Sequence, residues 1–140
     1  MTTALIGMGS NIDPEKYLQY ASQDMRQYFS HVVYSNVYQS AAIGMDGDDF
    51  LNACCLLSNV PEKFELLHWL KALEDKYGRD RTEGSWKPRT LDLDLLMYGD
   101  DILDDDLSRY AHVFVPASEL IDLTLPVVAT SMLTQVPLRL

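Results

Sequence analysis

Two carboxylates lie two residues apart at Asp92 and Asp94, in the run Trp86-Lys87-Pro88-Arg89-Thr90-Leu91-Asp92-Leu93-Asp94-Leu95-Leu96. Residues two apart in a strand point to the same face. Asp92 and Asp94 therefore project together, while Leu91, Leu93 and Leu95 face the other way into a core. Neighbouring carboxylates repel each other unless a cation sits between them. Oxygen ligands of this kind suit Mg²⁺, which takes one or two carboxylates and completes its shell with waters and nucleotide phosphates. The arginines just upstream suit those phosphates.

The charge pattern sharpens this reading. The chain has 140 residues, a formal net charge of −10 and eleven lysines and arginines. An acidic surface argues against nucleic acid as a partner, because phosphate backbones need a basic one. Five of the eleven basic residues, Lys76, Arg79, Arg81, Lys87 and Arg89, fall within fourteen positions. A local cluster of this size reads as a small-anion site.

The elements that must position these groups follow from patterning. Thr3 to Met8 predicts a first strand, ending at Gly9-Ser10-Asn11. Asp13 is the expected helix N-cap, with Pro14 at the first helical position. Leu18, Ala21, Met25 and Tyr28 keep helical spacing, which predicts a helix to about Phe29. His31 to Tyr38 predicts a second strand, and Phe50 to Ser58 a third. Between them Ser40 to Asp49 is a loop with Gly44 and Gly47. Pro61 opens a second helix with Leu66, Leu70, Leu73 and Tyr77 on one face and Gly78 as its C-cap. A polar loop from Arg79 to Arg89 leads into a fourth strand, Leu91 to Tyr98. Pro116 to Leu120 fits one helical turn, and Thr124 to Leu140 shows no period.

This order is βαββαβ. It predicts an α+β, ferredoxin-like antiparallel sheet with helices on one face, in a single domain over residues 1–140. Cys54 and Cys55 are adjacent, so in a strand they face opposite sides and are expected as buried free thiols. No segment reaches membrane-span length, and Met1-Thr2-Thr3 precedes only a short apolar stretch broken by glycine. The expectation is a soluble, cytoplasmic protein, a monomer or weak homodimer.

The residues also resemble the 6-hydroxymethyl-7,8-dihydropterin pyrophosphokinase family of folate biosynthesis. Its Pro-Arg-Thr-x-Asp-x-Asp signature is reproduced by Pro88-Arg89-Thr90-Leu91-Asp92-Leu93-Asp94. Gly9-Ser10-Asn11 resembles the Gly-Ser-Asn after the family's first strand. Tyr38 with Gly44, then Asp49-Phe50-Leu51-Asn52-Ala53, resembles the pterin-side loop and strand. Leu73-Glu74 with Gly78-Arg79-Asp80-Arg81 resembles the helix end before the arginine-rich loop.

The resemblance implies transfer of pyrophosphate from the co-substrate ATP to the pterin hydroxymethyl group, with two Mg²⁺ ions on Asp92 and Asp94. It implies that Arg79 and Arg89 bind phosphate, that Arg81 is a mobile-loop arginine, and that Glu74 contacts ATP. Asn52 would read the pterin ring, Phe50 would stack near it, and the backbone around Ala42 and Ile43 would meet its other edge. The sequence departs from the family in three places. Ser40-Ala41-Ala42 stands where Thr-Pro-Pro is usual. Thr82-Glu83-Gly84-Ser85 stands where basic residues are common. The segment Leu107 to Pro116 is shorter than the family's histidine, arginine and aromatic loop, and Arg109, His112 and Phe114 are its candidate substitutes.

Each assignment has a plainer competitor. Glu74 follows the apolar helix face by one residue and could be solvated. Asn52 could serve a structural hydrogen bond, Phe50 and His112 could be packing residues, and Trp86 could anchor its loop. The run Asp100-Asp101 with Asp104-Asp105-Asp106 is better read as a solvated turn than as a second metal site. At the level of function, two alternatives stand beside the enzyme. One is a binding-only paralogue with a shortened loop. The other is a ferredoxin-like regulatory module, which has no need of paired aspartates or clustered arginines.

Overall fold

A computed structural model describes residues 2–40, 49–78, 90–123 and 133–140. The element order is β1 (Thr3–Ser10), α1 (Pro14–Tyr28), β2 (His31–Tyr34), β3 (Val37–Ser40), β4 (Phe50–Ser58), α2 (Lys63–Lys76), β5 (Asp92–Tyr98), β6 (Asp101–Ile102), α3 (Asp106–Arg109), α4 (Ala111–Ser118) and β7 (Thr134–Val136). The strands form one antiparallel sheet in the order β6-β5-β1-β4-β3-β7, with β2 also on β4. β1 is central, which places its Gly7 and Gly9 mid-sheet.

The two sheet faces do different work. Ala4, Ile6 and Met8 of β1 join Leu51, Ala53, Cys55 and Leu57 of β4 and Leu91, Leu93 and Leu95 at β5 in the main core, under α1 and α2. Alternation dictates this, because the same strands send Gly7, Gly9, Asn52, Cys54, Asp92 and Asp94 to the opposite face. Each fully buried leucine there, such as Leu18, Leu57 or Leu66, contributes roughly 1.5–3 kcal/mol.

The expectation of helices on one face only is corrected here. A second core of Leu5, Cys54, Leu96, Leu107 and Ala117 lies on the opposite face, beneath α3 and α4. A register shift between Leu5 and Ile6 in the β1–β5 ladder makes room for it. Leu96, the extra residue of this bulge, keeps its alternation; beyond it Met97 turns to the second face and Tyr98 to the main core. The two cysteines divide as expected: both are free and buried, Cys54 in the second core and Cys55 in the first.

Other local differences have local causes. The expected strand from His31 to Tyr38 breaks at Ser35-Asn36, where the Ser35 N–H donates to the Cys54 carbonyl and the Cys54 N–H donates to Ser35 Oγ. Asp13 precedes α1 with φ 44° and its side chain makes no cap. Glu62, not the residue at Pro61, caps α2 by accepting from the Phe64 N–H. Gly78 follows the C-cap with φ +92°, a conformation that favours glycine. Pro116 lies inside α4 rather than opening a turn. The unpatterned C-terminal stretch contains β7, paired with β3, and Leu138 and Leu140 pack on the main core. Among the described residues no helix is long and apolar enough to cross a membrane.

Candidate functional site

Strand register assembles the site. Tyr38 pairs with Asn52, Asn52 with Gly9, and Gly9 with Asp92. Directly opposed residues share a face. Asn52 and Asp92 thus stand in one row, two strand spacings or about 10 Å apart, with a glycine between them. Asp94 stands in the next row, opposite Gly7. A Cβ at Gly9 would sit 3.6 Å from Asn52 Oδ1 and 3.7 Å from Phe50 Cδ1, filling the floor of this row. Interior glycines of a strand are found where a ligand approaches the backbone. Phe50 and Asn52 share the face, as residues two apart must.

Asn52 is buried and its amide is oriented by β3. Nδ2 donates to Ser40 Oγ at 2.8 Å and to the Tyr38 carbonyl at 3.2 Å. Both N–H groups are thereby engaged, and Oδ1 is turned toward Gly9. Ser40 was not singled out by sequence reasoning. The signal was available in its position two residues beyond Tyr38, on the same strand face.

Asp92 and Asp94 point away from the main core, as the alternation predicts, with Asp92 partly buried and Asp94 exposed. β6 pairs only with Met97 and Tyr98. The outer edge of β5 beside the aspartates thus has no partner strand among the described residues. There the Leu93 N–H donates to Glu74 Oε2 at 2.8 Å. Glu74 is 4% exposed, so the solvated alternative for this residue is overturned. Its carboxylate holds the peptide between the two aspartates.

The short segment after β6 reaches the same neighbourhood. Burial pushes the Asp106 carboxyl up, with Asp104, Asp105 and Asp92 adding to the rise and Arg109 opposing it. The Arg109 guanidinium lies 5.6 Å from the Tyr110 ring centre, and Tyr110 stacks on His112 at 5.3 Å. Val113, Pro116 and Ala117 of α4, with Leu120 just beyond it, form the seam against the sheet. His112 and Phe114 flank Val113 on opposite sides of that seam, since residues two apart on a helix do not face each other.

Burial lowers the His112 pKa below its ordinary 6.5 and keeps the imidazole neutral. The stabilisation from the neutral ring is complete above pH 6.5 and is lost as pH falls through the depressed folded value. Urea titrations at pH 7.5, 6 and 5 are therefore expected to show stability falling with pH, and His112→Phe is expected to flatten part of that fall. Parallel pH profiles for the two proteins would contradict this.

Among the described residues no group of three or more His, Cys, Asp or Glu is placed to hold a metal. Arg79, Arg81, Arg89, Trp86, Ala42 and Ile43 lie outside the described residues.

One face of the antiparallel sheet of this α+β protein thus carries an oriented amide and two carboxylates. The chain belongs to the 7,8-dihydro-6-hydroxymethylpterin-pyrophosphokinase family, whose pattern it matches over residues 5–126. It is 38% identical over 128 residues to the 2-amino-4-hydroxy-6-hydroxymethyldihydropteridine pyrophosphokinase of Synechocystis sp., covering 84% of this chain and 65% of that protein. It is 34% identical over 139 residues to the protein of that name from Haemophilus influenzae, covering 90% and 86%. With the Pseudomonas putida protein of that name it shares 34% over 117 residues, covering 81% and 97%.

Proposed function

We propose that this chain transfers pyrophosphate from ATP to 6-hydroxymethyl-7,8-dihydropterin, releasing AMP. The pterin hydroxyl oxygen bonds to the β-phosphorus, the bond from that phosphorus to the α,β-bridging oxygen breaks, and the hydroxyl proton is released. The observation that carries this reading is the row Asn52–Gly9–Asp92. It sets an amide acceptor and a carboxylate about 10 Å apart over a floor with no side chain. That span suits a flat heterocycle at one end and its reacting hydroxymethyl group near the other.

Asp92 and Asp94 are the residues to hold Mg²⁺, two ions in this reading. The donor set fits, because only two protein carboxylates are offered and the rest of the shell is left to waters and phosphates. The metal, when bound, neutralises phosphate charge. The chain's own groups position the substrates. Arg79, Arg81, Arg89 and Arg109 are assigned to the phosphates, Phe50 and Phe114 to the pterin faces, and the backbone of Ala42 and Ile43 to its far edge. Glu74 and His112 are assigned to the ATP side. The ferredoxin-like assignment of the βαββαβ unit is supported by the order β5-β1-β4-β3 of its main strands.

The test is AMP formation from ATP, Mg²⁺ and the reduced pterin. Pterin-dependent AMP supports the reading. No AMP at saturating concentrations of all three overturns it in favour of the binding-only paralogue.

Asn52→Ala should weaken pterin binding by about 1–3 kcal/mol, the usual cost of leaving buried polar groups unpaired. Calorimetry should show ATP affinity barely changed. Unaltered pterin affinity would reduce Asn52 to a structural tie between β3 and β4.

A further inference from the structure

We propose that Glu119 is a positioning residue for the pterin site, acting through Tyr38 and β3 on the amide of Asn52. The idea rests on the pterin assignment made above. Glu119 follows α4, and its carboxylate gathers three donors from one short stretch of chain. Oε1 accepts from the Asn36 N–H at 2.8 Å and from Asn36 Nδ2 at 3.1 Å, and Oε2 accepts from the Tyr38 hydroxyl. Hydrogen bonds to a charged acceptor are stronger than neutral ones.

The stretch so held is the one that needs holding. The strand is interrupted at Ser35-Asn36, and among the described residues β3 then pairs with β4 at three positions, Tyr38–Asn52, Gln39–Leu51 and Ser40–Phe50. Two of those three β3 residues, Tyr38 and Ser40, supply both acceptors for the Asn52 amide. A small shift of β3 would release one of them and let the amide turn. An amide turned by half a revolution offers a ligand N–H where it offered a carbonyl, which changes what it can read.

α4 completes the linkage from the other end. The Val113 carbonyl contacts Cys54 Sγ at 3.8 Å, two residues along β4 from Asn52. α4 therefore bridges β4 and β3 on the site face, and the segment that carries Arg109, His112 and Phe114 is tied to the pterin-side strand through Glu119. Burial and the Glu119 charge hold the Tyr38 phenol up to about 12, so it stays a donor throughout the working range.

Steady-state kinetics on Glu119→Ala, Glu119→Gln and Tyr38→Phe tests this. Glu119→Ala should raise the pterin KM by about tenfold, the equivalent of losing one charged hydrogen bond. The ATP KM should stay within about twofold, the melting temperature should hold, and Glu119→Gln should recover part of the loss because it keeps one acceptor oxygen. The Asn52 side-chain NH₂ signals in ¹⁵N spectra should move in Glu119→Ala. This readout needs no catalysis, so it separates failure of the positioning role from failure of the pyrophosphokinase reading. Unmoved Asn52 signals, or pterin and ATP KM rising together with a falling melting temperature, would overturn the proposal.

Discussion

Asp92→Asn and Asp94→Asn are each expected to cut AMP formation by orders of magnitude while leaving the protein folded. The loss follows from charge. ATP brings a concentrated negative charge to the site, and the aspartates offer the oxygen donors that would hold the neutralising cation. An asparagine keeps the shape and one oxygen but removes the charge that binds the ion. The fold should survive because both side chains leave the sheet on the side away from the main core. Relieving repulsion between adjacent carboxylates tends to raise the stability of a metal-free protein. Turnover against Mg²⁺ concentration, alongside thermal melting, separates the two effects. Chelation of the metal should reproduce the loss in the parent protein. Near-normal turnover in both variants would remove the metal assignment.

Glu74→Ala should have the largest effect on stability among the site residues, about 1–3 kcal/mol, because it leaves the buried Leu93 N–H without its acceptor. That peptide lies between Asp92 and Asp94, so the damage should extend to function. The Mg²⁺ concentration for half-maximal activity should rise, as two ligands on a looser strand lose their common direction. Glu74→Gln retains a carbonyl acceptor and should be milder on both counts. A Glu74→Ala protein within about 0.5 kcal/mol of the parent in urea titration, the range of ordinary surface changes, would show that the hydrogen bond does not hold β5.

The family itself was legible in short motifs, above all Pro88 to Asp94, because the signature is contiguous in the chain and needs no long-range pairing to be read. The alternation around Asp92 and Asp94 was equally legible. A strand with a leucine core on one face has only one way to orient its other residues. The same period placed Cys54 and Cys55 on opposite faces, and helical spacing placed α1 and α2 within a residue or two of their ends.

Other features needed the tertiary structure. That Asn52 and Asp92 stand in one row across Gly9 depends on the register of three strands from distant parts of the chain. Patterning specifies the face of a strand but leaves open which residue stands opposite. The burial of Glu74 was ambiguous for the same reason. Its place one residue beyond the apolar stripe is compatible with solvent until β5 brings an unpaired edge N–H to it. The second face of the sheet was hidden by the β1–β5 bulge, which sends Met97 and Tyr98 out of their expected alternation, and by Pro116, whose usual meaning is a helix start or stop. Sequence alone determined which groups this protein has for chemistry and which face of each strand they leave from. Only the tertiary structure decided which of them meet, because meeting depends on long-range pairing that no local period encodes.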